Sequence, residues 1–283
     1  KGPERVRFDT LGFVLFGAAM VLITIALEGL GEMHMPHARV MLLLFGGAAC
    51  MAAYWLRAGR IDAPLFSPTL FHTRSFAVGI FGNLFARLGG GALPFLVPLL
   101  LQVALGYSPA QAGMSMIPLA LGAMAVKSLA KPIIDRLGYR RLLIGNTLLL
   151  GGLIASLATI GTQTPTWLLL VHLGLIGMVN SMQFTAMNTV TLIGLSHADA
   201  SSGNSLLSVV VQLSMSLGVA TAGALLGGFT VEGAAGSEVL HAFQLTFLCV
   251  GVMAMLAAAL FLQLEPRDPG HDDDSRRAVD VAE

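Results

Sequence analysis

The stretch SFAVGIFGNLFARLGGGALPFLVPLLLQVA, Ser75 to Ala104, decides the fold. It holds thirty residues and one charge, Arg87. A helix crosses the hydrocarbon core of a bilayer with about 20 residues, so this run is long enough to span. Arg87 then lies near mid-depth. Even on the lenient insertion scale, an unpaired cation there costs roughly 2.5–3.5 kcal/mol, so its guanidinium must face protein or a water-filled cavity. Asn83 stands four residues earlier on the same helical face. Two readings stay open for Arg87. It is a cavity-lining cation that binds substrate or pairs with a carboxylate, or a structural arginine bonded to helix-end carbonyls.

Outward from this run the pattern repeats. Apolar stretches fall at roughly 11–29, 38–56, 75–104, 110–130, 141–161, 166–193, 203–228 and 239–264. Mean hydropathy is +0.78. Only 11% of residues are charged, less than half of the about 25% a soluble chain uses to cover its surface. The 33 glycines suit membrane helices that approach closely. The expectation is an all-α membrane protein with eight transmembrane helices.

The basic residues set its orientation. Fourteen of the sixteen Lys and Arg fall on alternate connections or at the two ends. They are Lys1, Arg5 and Arg7; Arg57, Arg60 and Arg74; Lys127, Lys131, Arg136, Arg140 and Arg141; and Arg267, Arg276 and Arg277. Arg39 alone lies on the other side. The positive-inside rule makes the basic side cytoplasmic. Eight spans return the chain to its starting side, so both ends are expected there. No small-residue cleavage site marks a secretory signal. The chain begins at Lys1 rather than Met, which suggests a segment of a longer protein.

Four regions follow. Residues 1–56 carry two linker spans nearly free of strong polar groups. Residues 57–74, with Pro64 and Pro68, read as a cytoplasmic linker along the membrane surface. Residues 75–264 form a six-span bundle. Residues 265–283, with Asp272, Asp273 and Asp274, read as a disordered tail. The bundle divides into triplets, 75–161 and 166–264, each opening with its most polar helix. The first opener holds Asn83, Arg87, Pro94, Pro98 and Gln102; the second holds His172, Asn180, Gln183 and Asn188. Interrupted helices at matching positions of two repeats point to a transport site.

Other polar positions are less decided. Asn180 and Gln183 share a face, and Ser205, Ser208, Gln212 and Ser216 form a stripe on the next span. Such groups line a cavity or join helices, the latter for about 0.6 kcal/mol each. Met178, Met182 and Met187 lie near that stripe and offer soft apolar surface, though packing suits each one singly. His172, close to an outer end, reads as interfacial, and Cys50 and Cys249 as packing residues. No Asp or Glu lies at mid-depth. In the basic connection the helix is expected to stop near Pro132, turn at Gly138 and restart among arginines.

That connection, DRLGYRR from Asp135 to Arg141, resembles the cytoplasmic signature of the major facilitator superfamily, departing from it at Lys131, where the signature has Gly. The runs Gln102–Gly113 with Pro118, Ser201–Leu207 and Gln212–Gly218 resemble the fourteen-span drug:proton antiporter branch. Arg87 with Gly89, Pro94 and Pro98, and Met178–Ser181, are most similar to its MdtD-like group. The resemblance implies that the first two spans are an extra pair and the next six a C-terminal half, a 3+3 inverted repeat. It further implies that six N-terminal spans carry the coupling carboxylates. It makes the chain part of a proton-driven exporter of small amphipathic compounds in a bacterial inner membrane. The proton gradient is the energy source. No cofactor, metal or nucleic acid is implied; the bilayer and the N-terminal half are the partners.

The candidate site is then Arg87, Asn83 and Gln102 with Asn180, Gln183 and Gln212, and the conformational latch is Asp135, Arg136, Gly138, Arg140 and Arg141. Two other classes compete. An intramembrane enzyme needs a nucleophile, a base and an orienting group in reach, and no His-Glu-x-x-His or comparable set is present. A non-transporting sensor or scaffold subunit keeps the bundle as a binding body.

Overall fold

The computed structural model describes residues 9–31, 35–61, 64–66, 68–231 and 235–264. Its helices are α1 (Thr10–Gly31), α2 (His37–Ala58), α3 (Arg74–Leu99), α4 (Pro109–Ser115), α5 (Ile117–Ala125), α6 (Lys127–Leu137), α7 (Tyr139–Ser156), α8 (Thr166–Leu192), α9 (His197–Phe229), α10 (Ser237–Leu256) and α11 (Ala258–Phe261). Among the described residues, seven helical stretches are long and apolar enough to cross a membrane, and the bent run from α4 to α6 makes an eighth. The protein is an all-helical, multi-pass membrane protein. Lys1, Arg5, Arg7 and the 265–283 tail lie outside the described residues.

α3 is the hub. It packs against α8, α9, α10 and α11 and is the most buried span. Its small residues admit these neighbours. A Cβ at Gly79 would overlap the Thr191 side chain on α8, and one at Gly91 would stand 2.9 Å from Met215 Cα on α9. The helix does not break at Pro94 or Pro98, contrary to the sequence expectation. Neighbouring helices let membrane helices absorb the lost N–H bonds. It widens only at its end, where Leu100–Ala104 form a π turn closed by Leu105 N–H on the Leu100 carbonyl, 3.1 Å. α8 is likewise unbroken.

The interruption lies instead in the second span. α4 stops at Met116, α5 restarts with Pro118 in its first turn, and α6 turns away by 51° at Val126. There the Ser128 hydroxyl donates to the Ala125 carbonyl, and Leu129 N–H takes the i−3 carbonyl of Val126. A side chain entering the ladder is a recognised cause of kinking. α6 then runs through Pro132 and ends at Leu137, so the expected stop near Pro132 is corrected. The turn does fall at Gly138, whose φ of 72° and ψ of 156° lie in a region open essentially to glycine alone.

The two triplets pack as a repeat. α3 pairs with α9 as α8 pairs with α5, and α7 and α10 pair with each other. α7 meets α8 as α10 meets α3. Exchanging the triplets leaves this pairing unchanged. Glycines stand on both sides of each crossing: Gly91 and Gly218, Gly122 and Gly177, Gly151 and Gly251. Backbones therefore meet without intervening side chains, the usual route to tight membrane packing.

α2 buries only Val40, Gly47, Tyr54 and Ala58. The first three repeat every seventh residue, one narrow stripe against α1. α1 in turn packs on α9. The 57–74 segment is fixed to this junction. Phe66 and Leu70 are buried, and Tyr54 Oη donates to the Phe66 carbonyl (3.0 Å) while accepting from Phe66 N–H (2.6 Å). Ser202 Oγ of α9 donates to the Leu65 carbonyl at 2.9 Å. Asp9 caps α1 through Gly12 N–H and pairs with Arg57 at 2.6 Å. Burial alone would raise the Asp9 pKa. The Gly12 N–H, the Arg57 guanidinium and the Leu65 N–H outweigh it and hold the carboxyl below its ordinary value.

Candidate functional site

The two opener helices lie antiparallel, and their polar faces meet. On α3 the residues 83, 87 and 90 share a face; on α8 the residues 180, 184, 188 and 191 do. Their register is regular. Asn83 meets Thr191, Arg87 meets Asn188 and Phe184, and Gly90 meets Asn180.

Arg87 is the centre of this seam. Its Nε donates to Asn83 Oδ1 at 2.7 Å and its Nη2 to Asn188 Oδ1 at 3.3 Å. The Phe184 ring lies under the guanidinium, 3.9 Å from Cζ to the ring centre. Asn83 is fully buried and held in turn: its Nδ2 donates to the Gly79 carbonyl (2.9 Å) and reaches Thr191 Oγ1 (3.4 Å). The guanidinium plane is thus fixed by an edge contact from each helix and a face contact from α8. Of its five N–H donors, those on Nη1 and the second on Nη2 meet no acceptor among the described residues. No carboxylate pairs with Arg87 among them either. One turn along, the Asn180 amide lies against Gly90, where a Cβ would stand 2.5 Å from Asn180 Oδ1. It makes no hydrogen bond among the described residues. The seam therefore offers a fixed cation and a neutral amide, both with donors to spare, on half-buried side chains.

The other expected members are elsewhere. Gln183 faces α7 and is saturated. Its Oε1 accepts from Asn146 Nδ2 (2.7 Å), and its Nε2 donates to Thr147 Oγ1 (2.6 Å) and Met187 Sδ (3.1 Å). It is 2% exposed. Gln102 is exposed and donates to the Pro98 carbonyl of its own helix. It lies fifteen residues beyond Arg87, or about 22 Å along α3. Gln212 is exposed in a groove between α1 and α9 with Met20, Val21, Thr24, Ile25 and Val209. Ser205 and Ser208 bond the carbonyls of Ser201 and Asn204 in their own helix. Met182 and Met187 are core residues. His172 Nε2 lies 2.8 Å from the Leu153 carbonyl and 3.1 Å from Ser156 Oγ, joining α8 to α7. Cys50 and Cys249 are unpaired.

Asp135, Arg136, Arg140 and Arg141 flank the Gly138 turn. Asp135, Arg136 and Arg141 are exposed, and none of the four makes a hydrogen bond or ion pair among the described residues. No group of three His, Cys, Asp or Glu side chains is placed to hold a metal ion among those residues.

Sequence reasoning did not place Phe184, Asn188 and Thr191 in the site. The available signal was spacing: 180, 184 and 188 recur every four residues on the helix that carries Asn180. A match to the Major Facilitator Superfamily model covers residues 79–281, most of the chain. The chain belongs to the Major Facilitator Superfamily. That is a superfamily of transporters, not of enzymes. Within it the chain is 42% identical over 265 residues to a protein of Pectobacterium atrosepticum named "Putative multidrug resistance protein MdtD", covering 93% of this chain and 57% of that protein. Proteins of the same name from Salmonella heidelberg and Cronobacter sakazakii are 43% identical over 269 residues and 42% over 275. They cover 94% and 96% of this chain, and again 57% of their own length. The chain thus spans little more than half the length of the curated relatives it matches.

Proposed function

We propose that this chain forms the C-terminal part of a proton-driven exporter of small amphipathic compounds, working by alternating access in a bacterial inner membrane. In this reading the 75–264 bundle packs against a six-helix N-terminal half of the same protein, and substrate binds between the halves. That half supplies the carboxylates that couple export to the proton gradient; among the described residues no acid pairs with Arg87. Both ends of this segment lie in the cytoplasm, the side of the arginine-rich connections. No cofactor enters the cycle.

The observation that carries the reading is the α3–α8 seam, where a mid-span cation keeps donors unpaired. Hydrocarbon does not tolerate such a group, so the seam opens to water or ligand. Arg87 anchors a polar group of the substrate, Asn83 holds Arg87, and Asn180 adds a neutral donor and acceptor. Names of relatives that speak of multidrug resistance support an exporter of foreign compounds. Asp135, Arg136, Arg140 and Arg141 serve as a latch that closes on the partner half in one state, with Gly138 setting the turn.

The test is flux. Full-length protein carrying this sequence is reconstituted in proteoliposomes under an imposed pH gradient, with ethidium and 1-anilinonaphthalene-8-sulfonate as probes. Gradient-dependent movement of either supports export. Binding without flux points to a sensor, and product formation to an enzyme. If Asp135→Asn changes neither turnover nor conformational populations, the latch is wrong.

A further inference from the structure

We propose that Phe184 is a positioning residue of the transport site. It aims the free edge of Arg87 at the ligand by holding the guanidinium flat. This rests on the reading of the α3–α8 seam as the transport site.

The inference begins with exposure. Phe184 is 44% exposed, though it points toward the polar seam of the bundle. Its neighbours along the same helix, Met182, Ala186 and Met187, are buried at 4% or less. Exposure alone does not set it apart, since Phe81 and Phe85 on α3 are 49% and 43% exposed; its contact does. That contact is the Arg87 guanidinium, 3.9 Å above its ring. Guanidinium is planar and weakly hydrated, and it stacks well on an aromatic face. The two hydrogen bonds at its edge act in its plane: 2.7 Å to Asn83 is short, and 3.3 Å to Asn188 is long. With one strong bond only, the group can swing about Nε. The ring removes that freedom and leaves Nη1 directed away from both asparagines.

Helix geometry makes the contact specific. Asn188 lies one turn beyond Phe184 on α8, and Asn83 one turn before Arg87 on α3. The cation is therefore gripped from one turn of each helix. If α3 and α8 shift against each other during transport, the Phe184 stack and the Asn188 bond break together, only the Asn83 bond within α3 remains, and the anchor loses its direction. Phe184 thus acts on affinity through Arg87 without touching the ligand's polar group itself.

A double-mutant cycle in the full-length protein isolates this. Phe184→Leu keeps apolar bulk and removes the π face; Phe184→Trp restores a π face. In proteoliposomes with the two probes above, Phe184→Leu is expected to raise KM by about tenfold with turnover within about twofold, as loss of a partly desolvated cation–π contact allows. Phe184→Trp should stay near wild type. In an Arg87→Ala background, Phe184→Leu should add nothing. A ligand-free measurement accompanies the flux. Phenylglyoxal labelling of Arg87, followed by mass spectrometry, should speed up several-fold in Phe184→Leu and not in Phe184→Trp. Independent, multiplying losses in the double variant would overturn the proposal. So would unchanged labelling of Arg87, or a Phe184→Trp variant as impaired as Phe184→Leu. If Arg87→Ala itself transports like wild type, the site reading fails. If Arg87→Ala is impaired and Phe184→Leu is not, only the role of Phe184 falls.

Discussion

Gln183 and Phe184 are neighbours in the chain and belong to opposite kinds of place. Gln183 turns toward α7 and is bonded on both ends of its amide by Asn146, Thr147 and Met187. Phe184 turns toward α3 and lies on a guanidinium with spare donors. By residue type Gln183 is the more polar of the two neighbours. The difference teaches that polarity inside a membrane bundle does not mark a site; unspent hydrogen-bonding capacity does. A closed knot joins helices, and an open one invites water, ion or ligand.

The largest expected effect breaks the open cluster. Arg87→Ala should lower kcat/KM for a transported probe by about 10- to 100-fold, the scale of a lost charged hydrogen bond, while the melting temperature in detergent moves little. Next comes the closed cluster, with the opposite signature. Gln183→Leu takes the donor from Thr147 Oγ1 and leaves Asn146 Nδ2 only its bond to the Val179 carbonyl, and should destabilise the bundle by about 1–3 kcal/mol, seen as a lower melting temperature with flux per folded molecule retained. If Gln183→Leu instead abolished flux in a well-folded protein, the contrast would collapse.

A third cluster sharpens it. Asp9 is capped and paired through Oδ1, while its Oδ2 is buried without a hydrogen bond, and it lies just outside a span. Asp9→Ala removes the α1 cap and should cost about 1 kcal/mol. Because the folded carboxyl is held below its ordinary pKa, its charge-dependent contribution is full above the unfolded value of about 3.9 and is lost as pH falls through the folded one. A melting series in acid should therefore show wild type approaching Asp9→Ala below about pH 4 and not between pH 5 and 8. The smallest effect belongs to Gln212, which faces α1 rather than the seam. Gln212→Leu should change stability by about 0.5 kcal/mol or less and leave KM unaltered.

Much of this was legible in the sequence. Eight apolar runs and a lone arginine fix a membrane bundle, because hydrocarbon thickness and the cost of charge are strict. Asn83 beside Arg87 followed from a four-residue spacing, and the two openers stood out by their polar content. The rest was not legible, for physical reasons. Whether an amide is spent depends on partners far along the chain, as with Gln183 and Asn146. Pro94 and Pro98 looked like breaks, yet neighbours at Gly89 and Gly91 support a continuous α3. Ser128, an ordinary residue in the run, accompanies the actual bend. Phe184 escaped notice because an aromatic residue in a span is ordinarily apolar surface; only the helix opposite gives it a cation.

The most direct measurement asks which of the two clusters is wet. In full-length protein with Cys50 and Cys249 changed to Ser, Asn180→Cys and Gln183→Cys are exposed in liposomes to a membrane-impermeant methanethiosulfonate sulfonate. A water-accessible α3–α8 seam requires Asn180→Cys to react about tenfold faster or more, since thiolates react where solvent reaches them, with protection by a transported probe. Equal, slow labelling at both positions, or faster labelling at Gln183→Cys, would contradict it.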